Sequence, residues 1–126
     1  MVKGIHTDNA PAALGPYSQA IQAGDFVYVS GQIGMDPATS EVVEGGIEKQ
    51  TEQVLKNLQA IFTEADVDFS QVVKFTIYLS SMDDFATVND IYGAYLSEPY
   101  PSRATVEVSR LPKNVLVEMD AVVYTK

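Results

Sequence analysis

The chain has 126 residues, 46% hydrophobic and 20% charged, which is typical of one soluble globular domain covering residues 1–126. Seventeen acidic residues against eight basic ones give a formal charge of −9, which disfavours nucleic acid and anionic membrane surfaces as partners. The absence of cysteine excludes a thiol nucleophile, a thiolate zinc site and a disulfide framework.

The N-terminal segment, residues 1–6, lacks the apolar core of a signal peptide, and no stretch approaches the roughly 20 apolar residues of a membrane span. We therefore expect a cytoplasmic protein. His6 is the only histidine, so a Ser-His-Asp triad or a multi-histidine metal site lacks its essential parts. The sequence predicts no metal site.

The first predicted element is a β-hairpin, in which residues 21–23 and 26–30 flank Gly24 and Asp25. Before it, Gly15 and Pro16 form a turn that presents the Tyr17 hydroxyl, although a plain turn with a packed tyrosine explains the pattern equally well. After it, Ser30 and Gly31 allow a bulge or a close backbone approach, which would present amide donors to an anion. Both segments flank one hairpin, so both could line one cleft.

A loop or looser hairpin over residues 34–46 precedes a helix, which the three- and four-residue spacing of apolar side chains predicts from Ile47 to about Ala65. Strict alternation then predicts a strand over residues 72–79. Its buried face contains Val73, Phe75, Ile77 and Leu79. Ser81 can cap a second helix, which must end before Pro99.

Two more strands follow, at about 103–109 and 116–124. With both helices on one face of the sheet, these elements predict an α+β fold, a two-layer sandwich whose sheet is mostly antiparallel. We expect these last two strands to be neighbours. Val117 and its alternate residues face the helices, which places Glu118 on the far face. If Val106 also faces the helices, Arg103 and Thr105 share the far face with Glu118. That face also carries Val122 and Tyr124, so we expect other subunits to cover it.

Arg103 and Glu118 form the best candidate site. A fixed guanidinium binds a carboxylate through two parallel charged hydrogen bonds, so Arg103 indicates an acidic small-molecule ligand. A nearby glutamate can activate a water molecule or transfer a proton. Each residue alone would more often be a solvated charge or half of a surface ion pair.

Several motifs, in order and with matching spacing from about Asn9 to Val123, closely resemble the RidA/YjgF family of enamine and imine deaminases. The segments that carry the resemblance are Gly15-Pro16-Tyr17-Ser18-Gln19, Val29-Ser30-Gly31-Gln32-Ile33, Asp84-Phe85-Ala86-Thr87-Val88-Asn89, and Pro101-Ser102-Arg103 through Leu111-Pro112-Lys113 to Val117-Glu118. The resemblance implies a chorismate-mutase-like fold, a homotrimer with clefts between subunits, and cofactor-free hydrolysis of 2-imino acids and their enamine tautomers to 2-keto acids and ammonia.

The resemblance also implies roles for individual residues. Arg103 would bind the substrate carboxylate together with the backbone amide of Gly31, and Glu118 would orient or activate water. The cleft wall would be completed by Tyr17, Ser30 and Asn89. Thr105 stands where many members of the family have a cysteine, so ligand preference and any regulation through a thiol are open, although its backbone amide can still donate.

The sequence leaves two alternatives to a deaminase open. The same cleft could bind a 2-keto acid without turnover, as a sensor or a protein-interaction module, because an arginine clamp serves both functions. Ribonuclease activity has also been attached to the family, but the charge of −9 argues against an RNA-binding surface.

Overall fold

The computed structural model describes residues 1–126 as eight strands and two α-helices. In chain order the elements are β1 (Val2–Ile5), β2 (Ala20–Ala23), β3 (Phe26–Ile33), β4 (Met35–Asp36), β5 (Glu41–Val42), α1 (Gly46–Glu64), β6 (Val72–Leu79), α2 (Phe85–Gly93), β7 (Ser102–Glu107) and β8 (Val117–Tyr124). Strands β4 and β5 pair only with each other. The other six form one sheet in the order β1-β2-β3-β8-β6-β7.

The sheet is antiparallel except at one edge, where β6 and β7 run parallel. Such a parallel pair needs a crossover connection, and α2 lies within it. Both helices contribute to one apolar core with the same face of the sheet, since Leu58 of α1 and Val88 of α2 belong to the cluster that contains Ile77 and Met119. This arrangement confirms the predicted α+β fold with a mostly antiparallel sheet.

Helix α1 is fixed to the sheet by two buried amides among its apolar contacts. The Asn57 side chain donates to the carbonyls of Ile33 and Met35 at 3.0 and 2.9 Å. Gln50 accepts from the Leu116 amide at 2.8 Å. These bonds hold α1 against the C-terminal end of β3 and the start of β8. Neither helix is long and apolar enough to span a bilayer.

The hairpin of β2 and β3 confirms the prediction, with Gly24 at the positive φ of 61° that the turn requires. The register between β3 and β8 shifts between Val29 and Gln32, which is the irregularity predicted around Gly31. Strand β1 was not predicted. Its four residues include a lysine and a glycine, and three of them are exposed, so the sequence shows no alternation there.

The C-terminal strands differ from the prediction. Strand β6 lies between β7 and β8, so the last two strands are not neighbours. Val73 is 41% exposed rather than buried, because the pairing of β6 with β8 shifts between Val72 and Lys74. In β7, Arg103 pairs with the buried Phe75 and therefore faces the helices, whereas Val106 is 42% exposed.

The prediction that Arg103 and Thr105 share a face with Glu118 is therefore wrong within one chain. It assumed that valines of an edge strand turn toward the core. Both faces of this sheet carry apolar side chains, so alternation alone does not assign the faces of β7. The helix-side positions of β7 lie at the rim of the helix layer, where a long polar side chain can pack its stem and keep its head in solvent.

Candidate functional site

Arg103 lies at the edge of the helix layer and is held entirely by neutral groups. Its Nη1 donates to Oδ1 of Asn89 on α2 at 2.6 Å. Its guanidinium carbon lies 5.4 Å from the ring centres of both Phe85 and Tyr92, so two aromatic faces support the cation. Arg103 forms no salt bridge within the chain. A fixed guanidinium without a protein carboxylate is available to an external one.

The surroundings of Arg103 form a hollow of about 450 Å³. Its lining consists of Asn89, Tyr92, Gly93, Leu96, Tyr100, Pro101 and Arg103. Burial raises the pKa of Tyr92 and the neighbouring Arg103 charge opposes that rise, so this tyrosine stays a neutral hydrogen-bonding group near pH 7. Thr105 lies on the same side of β7, and its buried hydroxyl bonds to no protein group.

Glu118 lies on the opposite face of the sheet, on β8 and directly over Gly31 of β3. A methyl group on Gly31 would collide with the Glu118 carboxyl, so glycine is what allows the carboxylate to lie across this strand. The close backbone approach predicted at Gly31 is thus present. It occurs at the register shift of β3, where the irregular strand makes room for the side chain.

Burial, followed by the charge of Asp120, raises the pKa of Glu118 above its usual value. Asp120 lies two residues further along β8, on the same face. Tyr78 of β6 donates from its hydroxyl to Oδ2 of Asp120 at 2.9 Å, and this hydrogen bond is the main reason why the pKa of Tyr78 is also raised. A carboxyl group with an increased proton affinity is a suitable acid or base in aqueous chemistry near neutral pH.

Glu118 and Gly31 open into a second hollow of about 330 Å³. Tyr17 and Lys113 also line it, together with Pro11, Ala12, Leu14, Gln32, Ile33, Met35 and Pro112. Lys113 has a positive φ of 56°, which is uncommon for a residue other than glycine. The N-terminal wall of this hollow depends on the buried Gln19, which accepts from the Thr7 amide at 2.7 Å and donates to the Pro11 carbonyl at 2.8 Å.

Ser30 lies beside this hollow but does not line it. Its hydroxyl donates to the Ser18 carbonyl at 2.6 Å, and its amide donates to the Gln19 carbonyl at 2.9 Å. Both bonds tie β3 to the segment that contains Tyr17. In this chain, Ser30 therefore positions the wall of the hollow.

The candidate residues thus form two groups on opposite faces. Arg103, Asn89 and Thr105 belong to the group at α2 and β7, and Glu118, Gly31 and Tyr17 belong to the group at β3 and β8. Sequence reasoning missed the aromatic support of Arg103, the lysine at position 113 and the Tyr78–Asp120 pair. For Lys113 a signal existed in the turn after Pro112, but turn chemistry alone does not tell where the side chain lies. No cluster of three or more acidic or histidine side chains is arranged to hold a metal ion.

Comparisons with a family model, with known proteins and with solved structures each match nearly the whole chain. The family model described as Endoribonuclease L-PSP matches residues 7–125. A RutC family protein of Pyrococcus horikoshii is 51% identical over 98% of both chains. A mouse protein named 2-iminobutanoate/2-iminopropanoate deaminase is 47% identical over 95% of this chain and 89% of its own length.

Among solved structures, RidA from the Antarctic bacterium Psychrobacter superposes with a TM-score of 0.93 at 48% sequence identity. The match covers 97% of this chain and 98% of that one. At this level of identity over nearly the whole chain, the comparison supports a family relationship as well as a common fold.

Proposed function

Because the chain belongs to the RidA/YjgF family, we propose that it hydrolyses reactive 2-imino acids and their enamine tautomers to 2-keto acids and ammonia. The observation that carries the proposal is Arg103, a guanidinium fixed by Asn89 and two aromatic rings but left without a carboxylate partner. Substrates of this class carry a carboxylate next to the imine carbon, which this arrangement suits.

The reacting group in this proposal is Glu118, which comes from a second copy of the chain. Within one chain Arg103 and Glu118 are on opposite faces, so neither hollow alone combines an anion anchor with a proton-transfer group. A homotrimer in which the Arg103 hollow of one protomer meets the Glu118 hollow of the next would combine them at each interface. The far face carries an exposed aromatic cluster, in which the ring centre of Phe26 lies 5.3 Å from that of Tyr124 and 6.5 Å from that of Tyr28. This cluster supports the proposal that other protomers cover the face.

The chemistry requires water, four proton transfers (two to the nitrogen and two from the attacking oxygen) and no covalent intermediate with the protein. The oxygen of a water molecule bonds to the imine carbon, the imine nitrogen takes a proton and the water gives one up, which gives a carbinolamine. The nitrogen then takes a second proton, the carbon–nitrogen bond breaks, and the hydroxyl loses its proton to become the keto group. For an enamine, protonation of its β-carbon comes first. Glu118 exchanges these protons, and Arg103 with the Gly31 amide fixes the carboxylate.

An amino-acid oxidase that produces imino acids in situ gives a direct test. We expect the wild-type protein to accelerate loss of the imino acid and release of ammonia. Arg103 is exposed in one chain and is covered only by the next protomer of the proposed trimer. With that cover, Arg103→Ala should lower kcat/KM at least about 30-fold, since removal of one partner of a desolvated charge pair typically costs about 2–5 kcal/mol. Glu118→Gln should lower kcat with a smaller effect on KM, because its role is in the chemical step.

Matched controls come from exposed residues of the same type. Arg110→Ala removes the only other arginine, and Glu48→Gln removes a carboxylate from the first turn of α1, so both should retain wild-type rates. If the wild type does not exceed the uncatalysed rate yet binds a 2-keto acid in an Arg103-dependent manner, the protein is a sensor and the proposed activity is wrong. The family description as an endoribonuclease receives no support from a chain with a charge of −9.

A further inference from the structure

Asp120 is an acidic residue beside Glu118 to which the proposed reaction has so far given no role. Glu118 and Asp120 are two positions apart on β8 and point to the same face. On the neighbouring strand, Tyr78 lies directly opposite Glu118, and its hydroxyl reaches diagonally to Oδ2 of Asp120 at 2.9 Å. The hydrogen bond therefore fixes one carboxylate next to the other.

The other groups around Glu118 do not neutralise this pair within the chain. Strand β3 contributes Gly31, which has no side chain to bond to. Tyr17 and Lys113 line the same hollow, and Lys113 forms no salt bridge with either acid. Lys74 lies on the same face of β6, opposite Val122, and forms no salt bridge with either acid, and in the proposed site Arg103 of the next protomer binds the substrate carboxylate. Two adjacent carboxyls that bond to no cation cannot both ionise freely, and a hydrogen-bond donor on one of them favours the charge on that one.

We propose that Asp120, held by the Tyr78 hydroxyl, is a positioning residue that keeps a proton on Glu118 for the proposed deaminase reaction. Asp120 carries the negative charge, which Tyr78 stabilises, and its repulsion makes Glu118 the carboxyl that takes the proton. The direction of the Glu118 pKa, raised first by burial and second by Asp120, agrees with this geometry.

This inference rests on the proposed function and assigns the order in which Glu118 gives and takes protons during the reaction. Protonated Glu118 gives its proton to the imine nitrogen, and the resulting carboxylate takes a proton from the water that bonds to the imine carbon. The same carboxyl then protonates the amine nitrogen of the carbinolamine, and ammonia leaves as the hydroxyl returns its proton to Glu118. The carboxyl ends the cycle protonated, so no other acid or base is required.

The test is a pH titration of the Glu118 side-chain carboxyl by NMR in protein labelled with ¹³C glutamate, with Glu118→Gln used to assign the signal. We expect Asp120→Asn to lower the titration midpoint of Glu118 by about half to one pH unit. Tyr78→Phe should lower it by less, because Asp120 is then no longer held beside Glu118. Asp90→Asn on the exposed surface of α2 removes the same charge elsewhere and should leave the midpoint unchanged.

The kinetic readout is the pH profile of kcat/KM, in which the limb that belongs to Glu118 should move to lower pH by the same amount in Asp120→Asn. A structural role of Asp120 would lower the rate at every pH without moving the limb. An unchanged Glu118 midpoint in both variants would overturn the inference. If the midpoint moves as expected but the wild type has no deaminase activity, the proton assignment stands and the proposed function fails.

Discussion

The Glu118 carboxyl is half-buried beside Asp120, and both features raise its pKa above the ordinary value. The folded chain therefore binds this proton more tightly than the unfolded chain does. Below the pKa of the unfolded chain the side chain is neutral in both states. Above it, the folded chain must either keep a proton that the unfolded chain releases or hold the charge in a poorly solvated place. At the scale of single residues, the group best suited to the chemistry opposes folding at neutral pH.

Glu118→Gln should accordingly raise the thermal unfolding midpoint at pH 7 while it removes activity. The gain should disappear near pH 4, where Glu118 is protonated in the wild type as well. Thermal unfolding followed at both pH values measures this. The control Glu48→Gln should show no such gain, because Glu48 lies in the first turn of α1, where the helix dipole favours a negative charge. A gain of equal size at both pH values would contradict the electrostatic explanation.

At the scale of elements, the two groups of candidate residues depend on irregular backbone as much as on regular strands. Strand β3 changes register at Gly31, and this is where the Glu118 carboxyl crosses the strand. The register of β7 pairs Arg103 with the buried Phe75 of β6, which turns Arg103 toward α2. Arg103 and Glu118 are therefore each positioned by the register or irregularity of a neighbouring strand, which their own place in the sequence does not reveal.

Gly31→Ala should displace the Glu118 carboxyl, because the added methyl group would collide with it. We expect kcat/KM for imino acids to fall about 10- to 100-fold, as is usual when a reacting group moves by an ångström. The control Gly4→Ala lies in the same sheet, and there the nearest atom to a new methyl group is Ser18 Oγ at an ordinary 3.8 Å. Wild-type activity in Gly31→Ala would show that the position of Glu118 over β3 does not matter.

The sequence predicts elements well where one periodicity dominates. Helix α1 and the β2–β3 hairpin follow from apolar spacing and from a glycine turn, and the residues of both groups were named from the sequence. The faces of β7 could not be predicted, because valines there turn away from the helices while Arg103 packs on Phe85 and Tyr92. The order of the strands could not be predicted either, because β6 pairs with both β7 and β8 through contacts between residues that are distant in sequence.

At the scale of the whole molecule, the far face of the sheet explains why the faces of β7 were predicted wrongly. It exposes Phe26, Tyr28, Val106 and Tyr124, which are apolar enough to be mistaken for core residues in a pattern analysis. If this face is where protomers meet, its composition is that of an interface, and the separation of Arg103 from Glu118 within one chain becomes the requirement for a site shared by two chains.

Subunit complementation tests this shared site most directly. Arg103→Ala and Glu118→Gln proteins are each unfolded, mixed in equal amounts and refolded together, and light scattering and mass spectrometry confirm mixed trimers before imino acid hydrolysis is measured. Each variant refolded alone should be far less active than the refolded mixture. In a cyclic trimer with sites between neighbours, random mixing restores one intact site in about three quarters of the trimers, so we predict about a quarter of wild-type activity. Verified mixed trimers with no recovered activity would contradict the account.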